Sequence, residues 1–271
     1  MLKPLSPMVD PVLSVTDLQV EFQRGTERIS AVRGVSFQLQ AGKVLGIIGE
    51  SGSGKSATCS AILGLLGREG QIAGGTIHLG QQELTNLPRT AMRQIRGQQI
   101  GVVLQNPSSF FNPILTIGRQ FTETLRSHYP LSRSEAHAIA LEHLSAVGLS
   151  YPQQICRQFP FQLSGGMLQR VMIAIALSLH PSVLIADEPT TALDVITQMQ
   201  ILNLLADLRR QYDSAILLVT HDLGVIAQLA DEVAVMYQGQ FVEYAPVEEL
   251  FDRPQHPYTR SLLASRLVVR R

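Results

Sequence analysis

Short apolar runs, each stopped by a polar cluster, recur along the chain. Residues 44–48 (VLGII) stop at Gly49, and 100–104 (IGVVL) stop at Gln105. Residues 183–186 (VLIA) stop at Asp187-Glu188, and 215–219 (AILLV) stop at Thr220-His221-Asp222. Runs of this length predict buried strands. In a parallel sheet their carboxyl ends share one edge, where α/β sheets bind ligands. Helical patterns lie between them: Ile62, Leu63, Leu65 and Leu66 follow the first run, and 196–212 follows the third.

Other stretches carry different periods. Residues 13–22 and 31–39 show partial alternation around a turn-like Gln23–Arg28 segment, which predicts two antiparallel strands. Residues 74–80 read as a further short strand, and 88–97 as a basic helix with a solvated face. From 106 to 180 the pattern is helical throughout. Ile117, Phe121 and Leu125 share a face, and Ser132…Glu135 fits a capping box that opens a second helix, closed by Gly148. His137 and His143 lie six apart in it, so they share no helix face and read as surface residues. Residues 233–237 and 240–244 form a hairpin across Gly239, followed by short amphipathic helices at 247–251 and 257–267. The fold class is α/β, with an antiparallel β part and an all-helical insert. The expected organisation is one domain over 1–271: a core from 12–105 and 181–245, a helical subdomain at 106–180, and a short extension at 246–271.

Composition narrows the partners. Lys+Arg and Asp+Glu number 22 each, so no basic face is expected and no nucleic-acid partner. Two cysteines, Cys59 and Cys156, exclude a disulfide framework and suit a reducing compartment. No apolar run approaches the ~20 residues of a membrane span. The N-terminal stretch, with three prolines and no long apolar centre, reads as a loose lead-in rather than a signal peptide.

The chemistry concentrates after the first run. Gly49-Glu50-Ser51-Gly52-Ser53-Gly54-Lys55-Ser56, with Ala57 beginning the helix, fits G-x-x-x-x-G-K-[ST] in a strand–loop–helix context. Glycines let backbone N–H groups turn toward phosphate oxygens, and a helix start adds partial positive charge. Lys55 would reach the β- and γ-phosphates of ATP, and Ser56 would ligate Mg2+. Asp187 is placed for the magnesium shell and Glu188 to polarise water, because successive strand residues point opposite ways. Gln105 and His221 can contact the γ-phosphate or the attacking water. Ser164 is a good N-cap, and Gly165-Gly166 expose N–H groups there, which is either a plain cap or a second anion site. Phe22 ends its strand either as a base-stacking aromatic or as an ordinary edge residue.

Taken together, these motifs resemble those of ABC-type ATPases over nearly the whole chain. GESGSGKS resembles Walker A, VLIADE resembles Walker B and LSGGM resembles the signature motif. Gln105, Ala192-Leu193-Asp194 and His221 match the Q-, D- and H-loop positions, and Phe22 falls at the adenine-stacking position. The resemblance implies a P-loop NTPase core and a dimer in which Ser164, Gly165, Gly166 and Met167 of one subunit close ATP into the Walker A site of another, with Asp194 at the dimer contact. Met167 stands where most members have Gln. Gln105 joins Ser56 and Asp187 as a magnesium ligand in this reading.

GIIGESGSGKS, NPILTIG at 112–118, ADEPTTALDV and HPYTRSLL at 256–263 resemble the dipeptide/oligopeptide/nickel importer branch. SGGMLQR followed by MIAIAL is similar to the ATP-binding subunit of nickel importers and their metallophore-importing relatives. No cysteine-rich segment follows HPYTRSLL, which favours the metal side. The expectation is therefore a peripheral ATPase on the cytoplasmic face of the inner membrane, energising import of nickel or a metal–metallophore complex. The alternatives are a dipeptide or oligopeptide importer and, outside transport, a soluble ABC ATPase. The partners implied are a second homologous ATPase subunit in a heterodimer, two transmembrane permease subunits and an extracytoplasmic solute-binding protein. Phe110 and Phe111 either line the permease groove or pack in the core.

Overall fold

The computed structural model describes residues 10–191 and 193–267. Most of the N-terminal lead-in, Ala192 of the D-loop position and Arg270–Arg271 lie outside the described residues. Two sheets organise the rest. The first runs β2-β1-β4-β5, from β1 (Leu13–Arg24), β2 (Glu27–Leu39), β4 (Gly70–Leu79) and β5 (Gln82–Glu83). Its pairings are antiparallel. β1 and β2 continue to a turn at Gly25-Thr26, so most of the predicted Gln23–Arg28 turn is strand. β4 likewise starts earlier than its apolar residues do, because β1 offers a partner as far as Phe22↔Gly70.

The second sheet runs β10-β9-β3-β8-β7-β6. β3 (Val44–Ile48), β6 (Ile100–Val103), β7 (Val183–Asp187) and β8 (Ala215–Thr220) are joined by parallel pairings, and β9 (Glu232–Tyr237) runs parallel to β3. β10 (Gln240–Pro246) returns antiparallel to β9 through a turn at Gln238 and Gly239, both at positive φ, as a two-residue hairpin requires.

The apolar runs are explained by burial on both faces. Alternate residues enter two separate cores. Leu45, Ile47, Ile185 and Leu217 pack with the antiparallel sheet and α1 (Lys55–Ile62). Val44, Ile48, Leu184, Ala186, Ile216 and Leu218 pack against helices on the other side. α1 is shorter than the apolar spacing suggested. It stops at Ile62, and Leu65 beyond it is exposed.

α2 (Arg89–Gln98) leads to β6, with a break at Arg96 and Gly97. Residues 107–177 then carry five α-helices with short connections: α3 (Pro107–Phe110), α4 (Ile117–His128), α5 (Arg133–Ala146), α6 (Pro152–Arg157) and α7 (Gly165–Leu177). The Ser132–Glu135 capping box forms in both directions, at 3.2 and 2.8 Å. His137 is exposed, but His143 is half-buried beside His180, with Nε2 lacking a partner. Phe111 is buried, and Phe110 remains 40% exposed against it. α8 (Val195–Tyr212), α9 (Leu223–Leu229), α10 (Val247–Asp252) and α11 (Pro257–Leu267) complete the order. No described helix is long and apolar enough to cross a membrane.

Candidate nucleotide site

The Gly49–Ser56 loop carries the chain from β3 into α1. Gly54 sits at φ 112°, and a Cβ there would lie 2.5 Å from the Ala31 carbonyl oxygen and 2.6 Å from Met236 Cε, so only glycine fits. Gly54 precedes the first turn of α1 and no side chain caps that turn, which leaves its N–H groups for an anion. The loop is held from behind: the Gly239 N–H donates to the Ser53 carbonyl at 2.9 Å.

Lys55 is 8% exposed and folds back over the loop, donating from Nζ to the carbonyls of Gly49 (2.7 Å) and Glu50 (2.9 Å). Burial pushes its pKa down, against the opposing pull of Glu188 and Asp187. Burial also raises the Asp187 pKa, a shift moderated by the hydrogen bond from Ser56. That bond, Ser56 Oγ to Asp187 Oδ1 at 3.5 Å, joins the start of α1 to the end of β7.

Asp187 and Glu188 part company more sharply than strand alternation requires. Glu188 adopts φ 51°, an uncommon conformation for such a residue, and its N–H donates to Val219 at 2.7 Å. Its carboxylate then accepts from four groups. Thr191 Oγ1 (2.9 Å) and Thr220 Oγ1 (3.2 Å) reach Oε2, while the His221 N–H (3.0 Å) and Nδ1 (2.6 Å) reach Oε1.

These elements enclose a cavity of about 580 Å3. Gly49, Glu50, Ser51, Gly52, Gly54, Lys55, Ser56, Ala57, Gln105, Glu188 and His221 line it, joined by Ala31 and Leu262. Ser53 lies buried beneath the loop, and Asp187 touches Ser56 behind the lining. Phe22 is not brought in. Its ring lies over Gly70 and packs into the core of the antiparallel sheet.

Ser164 and Asp194 lie outside this lining. Ser164 Oγ caps α7 by accepting from the Met167 N–H at 3.3 Å. Gly165 and Ser164 are exposed, and Gly166 faces Thr197 so closely that a Cβ would lie 2.7 Å from Cγ2. Asp194 caps α8, accepting from the Thr197 N–H at 3.0 Å and its hydroxyl at 2.6 Å. Gln169, which sequence reasoning passed over, is 1% exposed and donates to the Pro189 carbonyl at 2.7 Å. A lone amide in the apolar VMIAIAL helix region was the available signal.

A glycine loop between a central parallel strand and a helix, with Lys-Ser at its end and two carboxylates at the carboxyl end of β7, the next strand but one, defines a P-loop nucleotide site in an α/β ATPase fold. More narrowly, the chain belongs to the ABC transporter family, whose model matches residues 32–191. It is 48% identical to the oligopeptide transport ATP-binding protein AppD of Bacillus subtilis (strain 168) over 95% of this chain and 79% of that protein. It is 46% identical to the glutathione import ATP-binding protein GsiA of Shigella dysenteriae serotype 1, over 94% of this chain and 42% of that protein. Among solved structures, the ATP-binding cassette MJ0796, in a dimeric post-hydrolysis state bound to ADP and Pi, superposes with TM-score 0.78 at 29% identity. That match covers 87% of this chain and 98% of the other.

Proposed function

We propose that the chain is the ATP-hydrolysing subunit of an ABC importer for oligopeptides or related small peptides. The convergence of Lys55, Ser56, Gln105, Glu188 and His221 on one cavity carries the catalytic half of this reading. In it, the loop amides and Lys55 hold the phosphates. Glu188 polarises water for in-line attack on the γ-phosphate, and His221 and Gln105 contact that phosphate or the water. This is positioning with charge stabilisation, the main source of catalysis in phosphoryl transfer. The hydroxyl of Ser56 and carboxylate of Asp187 are hard oxygen donors close together, a set that suits Mg2+, with Gln105 available in the same cavity. When bound, the cation would neutralise charge on the β- and γ-oxygens.

Ser164, Gly165, Gly166 and Met167 serve a partner's nucleotide in this reading. Their exposed helix start, standing apart from the chain's own cavity, favours that role. The partner is a second ATPase chain, and the pair works beneath two permease subunits supplied by a solute-binding protein, peripheral to the membrane. Residues 106–180 would act as a helical subdomain that transmits closure, with the exposed ring of Phe110 available to a permease.

The names of these relatives favour a peptide cargo over the nickel or metallophore expectation. AppD and GsiA are named for oligopeptide and glutathione transport. The lack of a cysteine-rich segment was a weak guide, because the ATPase does not touch the cargo. Uptake of labelled oligopeptide, dipeptide and nickel by cells with and without this gene tests the reading. Loss of peptide uptake alone is expected; loss of nickel uptake alone would overturn the cargo. Absence of MgATP binding by the assembled complex would overturn the whole.

A further inference from the structure

A second cavity, of about 700 Å3, lies in the helical insert between α4, α5 and α6 and shares no lining residue with the nucleotide site. Arg119, Arg126, Arg133 and Arg157 line it with His137, against a single acid, Glu123. That is a local excess of positive charge on a chain whose net charge is zero. We infer that this cavity binds a phosphate-bearing anion larger than phosphate itself: a polyphosphate, a phosphate ester or the headgroup of an anionic phospholipid.

Helix packing brings the arginines together. Arg119, Glu123 and Arg126 share one face of α4, Arg133 opens α5 and Arg157 closes α6. α4 and α6 approach closely at the floor: a Cβ on Gly118 would lie 2.8 Å from both the Cβ and the carbonyl oxygen of Cys156. The Ile117 N–H also donates to the Gln158 carbonyl at 2.9 Å. Arg119 and Arg157 adjoin these contacts, so the same approach carries both into one cavity. Arg126 Nε donates to the Leu131 carbonyl at 3.0 Å, which holds its guanidinium and leaves the terminal N–H groups for a ligand. Arg119 pairs with Glu123 at 2.8 Å, but no ion pair among the described residues engages Arg126, Arg133 or Arg157. Like charges gathered in a concave site repel one another until an anion joins them. The volume suits a small organic ligand. No lysine lines the cavity, and the planar fork of arginine matches phosphate oxygens two at a time. A carboxylate brings two oxygens, whereas a phosphate brings three acceptors to guanidinium groups arriving from three helices.

The test uses the full chain with MgADP held saturating, so that the phosphate loop is already filled. Calorimetry then reads binding of inorganic tripolyphosphate. Flotation reads capture by vesicles of phosphatidylcholine with and without phosphatidylglycerol. The wild type should bind at least one of these probes, and vesicles only when they contain phosphatidylglycerol. Arg133→Gln and Arg157→Gln should each weaken that binding about 10-fold. Arg157→Lys keeps the charge but loses the fork, and should weaken it too. Glu123→Gln releases Arg119 and should tighten binding about 3-fold, a gain that a poorly folded variant could not show. Tripolyphosphate binding without vesicle capture would assign a free phosphate compound, and vesicle capture without tripolyphosphate binding a lipid headgroup; either result supports the site. Binding of neither probe, or binding indifferent to the arginine variants, would overturn the inference. So would tighter binding of an oligo-glutamate peptide, which would make the cavity a dock for an acidic protein segment.

Discussion

Glu188 and His221 are joined twice: the imidazole Nδ1 and the backbone N–H of His221 both reach Oε1, at 2.6 and 3.0 Å. Because a carboxylate only accepts, Nδ1 carries the proton and the ring is fixed in one tautomer. The positive φ of Glu188 makes this geometry available, since the residue leaves β7 and turns toward the end of β8.

Glu188→Gln should therefore preserve MgATP binding within about 2-fold while cutting turnover by about 10²–10⁴. Phosphate release under saturating ATP, beside equilibrium binding, checks it. Hydrolysis at the normal rate would reject Glu188 as the group that polarises water.

His221→Ala removes one of the two bonds and leaves the backbone donor. The expected loss in kcat is about 10²-fold, with ATP affinity changed little. If KM rose in proportion while kcat stayed level, His221 would be a binding residue only.

Asp187 carries a pH signature. Its folded-state pKa is raised by burial above the ordinary 3.8, so the folded chain retains that proton longer than the unfolded one. The associated stability is fully present below the unfolded value and is lost as pH rises through the folded one. At neutral pH the ionised side chain thus costs stability, and Asp187→Asn should raise the melting temperature of the nucleotide-free protein. The difference should shrink as the solution is acidified, and the variant should lose its Mg2+-dependent stabilisation by ATP. A lower melting temperature at neutral pH would contradict the burial account.

Gln169 ties α7 to the segment after Glu188. Gln169→Leu strands the buried Pro189 carbonyl and should cost about 1–3 kcal/mol in urea unfolding. A variant as stable as the wild type would show that this carbonyl finds another donor.

Sharing of sites between subunits is tested by mixing. In dimers carrying Ser164→Arg in one subunit only, the site built on the other subunit's Lys55 should fail and the remaining one persist. Loss confined to the altered subunit's own site would reject the trans arrangement.

Much of this was legible in sequence because it is local. The strand–loop–helix context of Gly49–Ser56, the acids after VLIA and the capping box at Ser132 depend on near neighbours. Continuous apolar runs marked the parallel strands, since each is buried on both faces. Leu262 was illegible as a cavity residue because the place of α11 is set by contacts to Glu243 and Tyr237, not by spacing. Phe22 could not be placed by position alone: its ring packs over Gly70, a choice made by tertiary packing. His143 was misjudged as a surface residue for a related reason, as its exposure is decided by His180 far along the chain.

The Ser53 carbonyl waits for an N–H at position 239, and the Glu50 N–H for a hydroxyl at 258. On the ribosome, then, a nascent polypeptide will have produced its nucleotide-gripping segment long before the pieces that brace it exist. Premature termination anywhere upstream of those pieces would leave that segment without its braces, however faithfully the first two hundred codons were read.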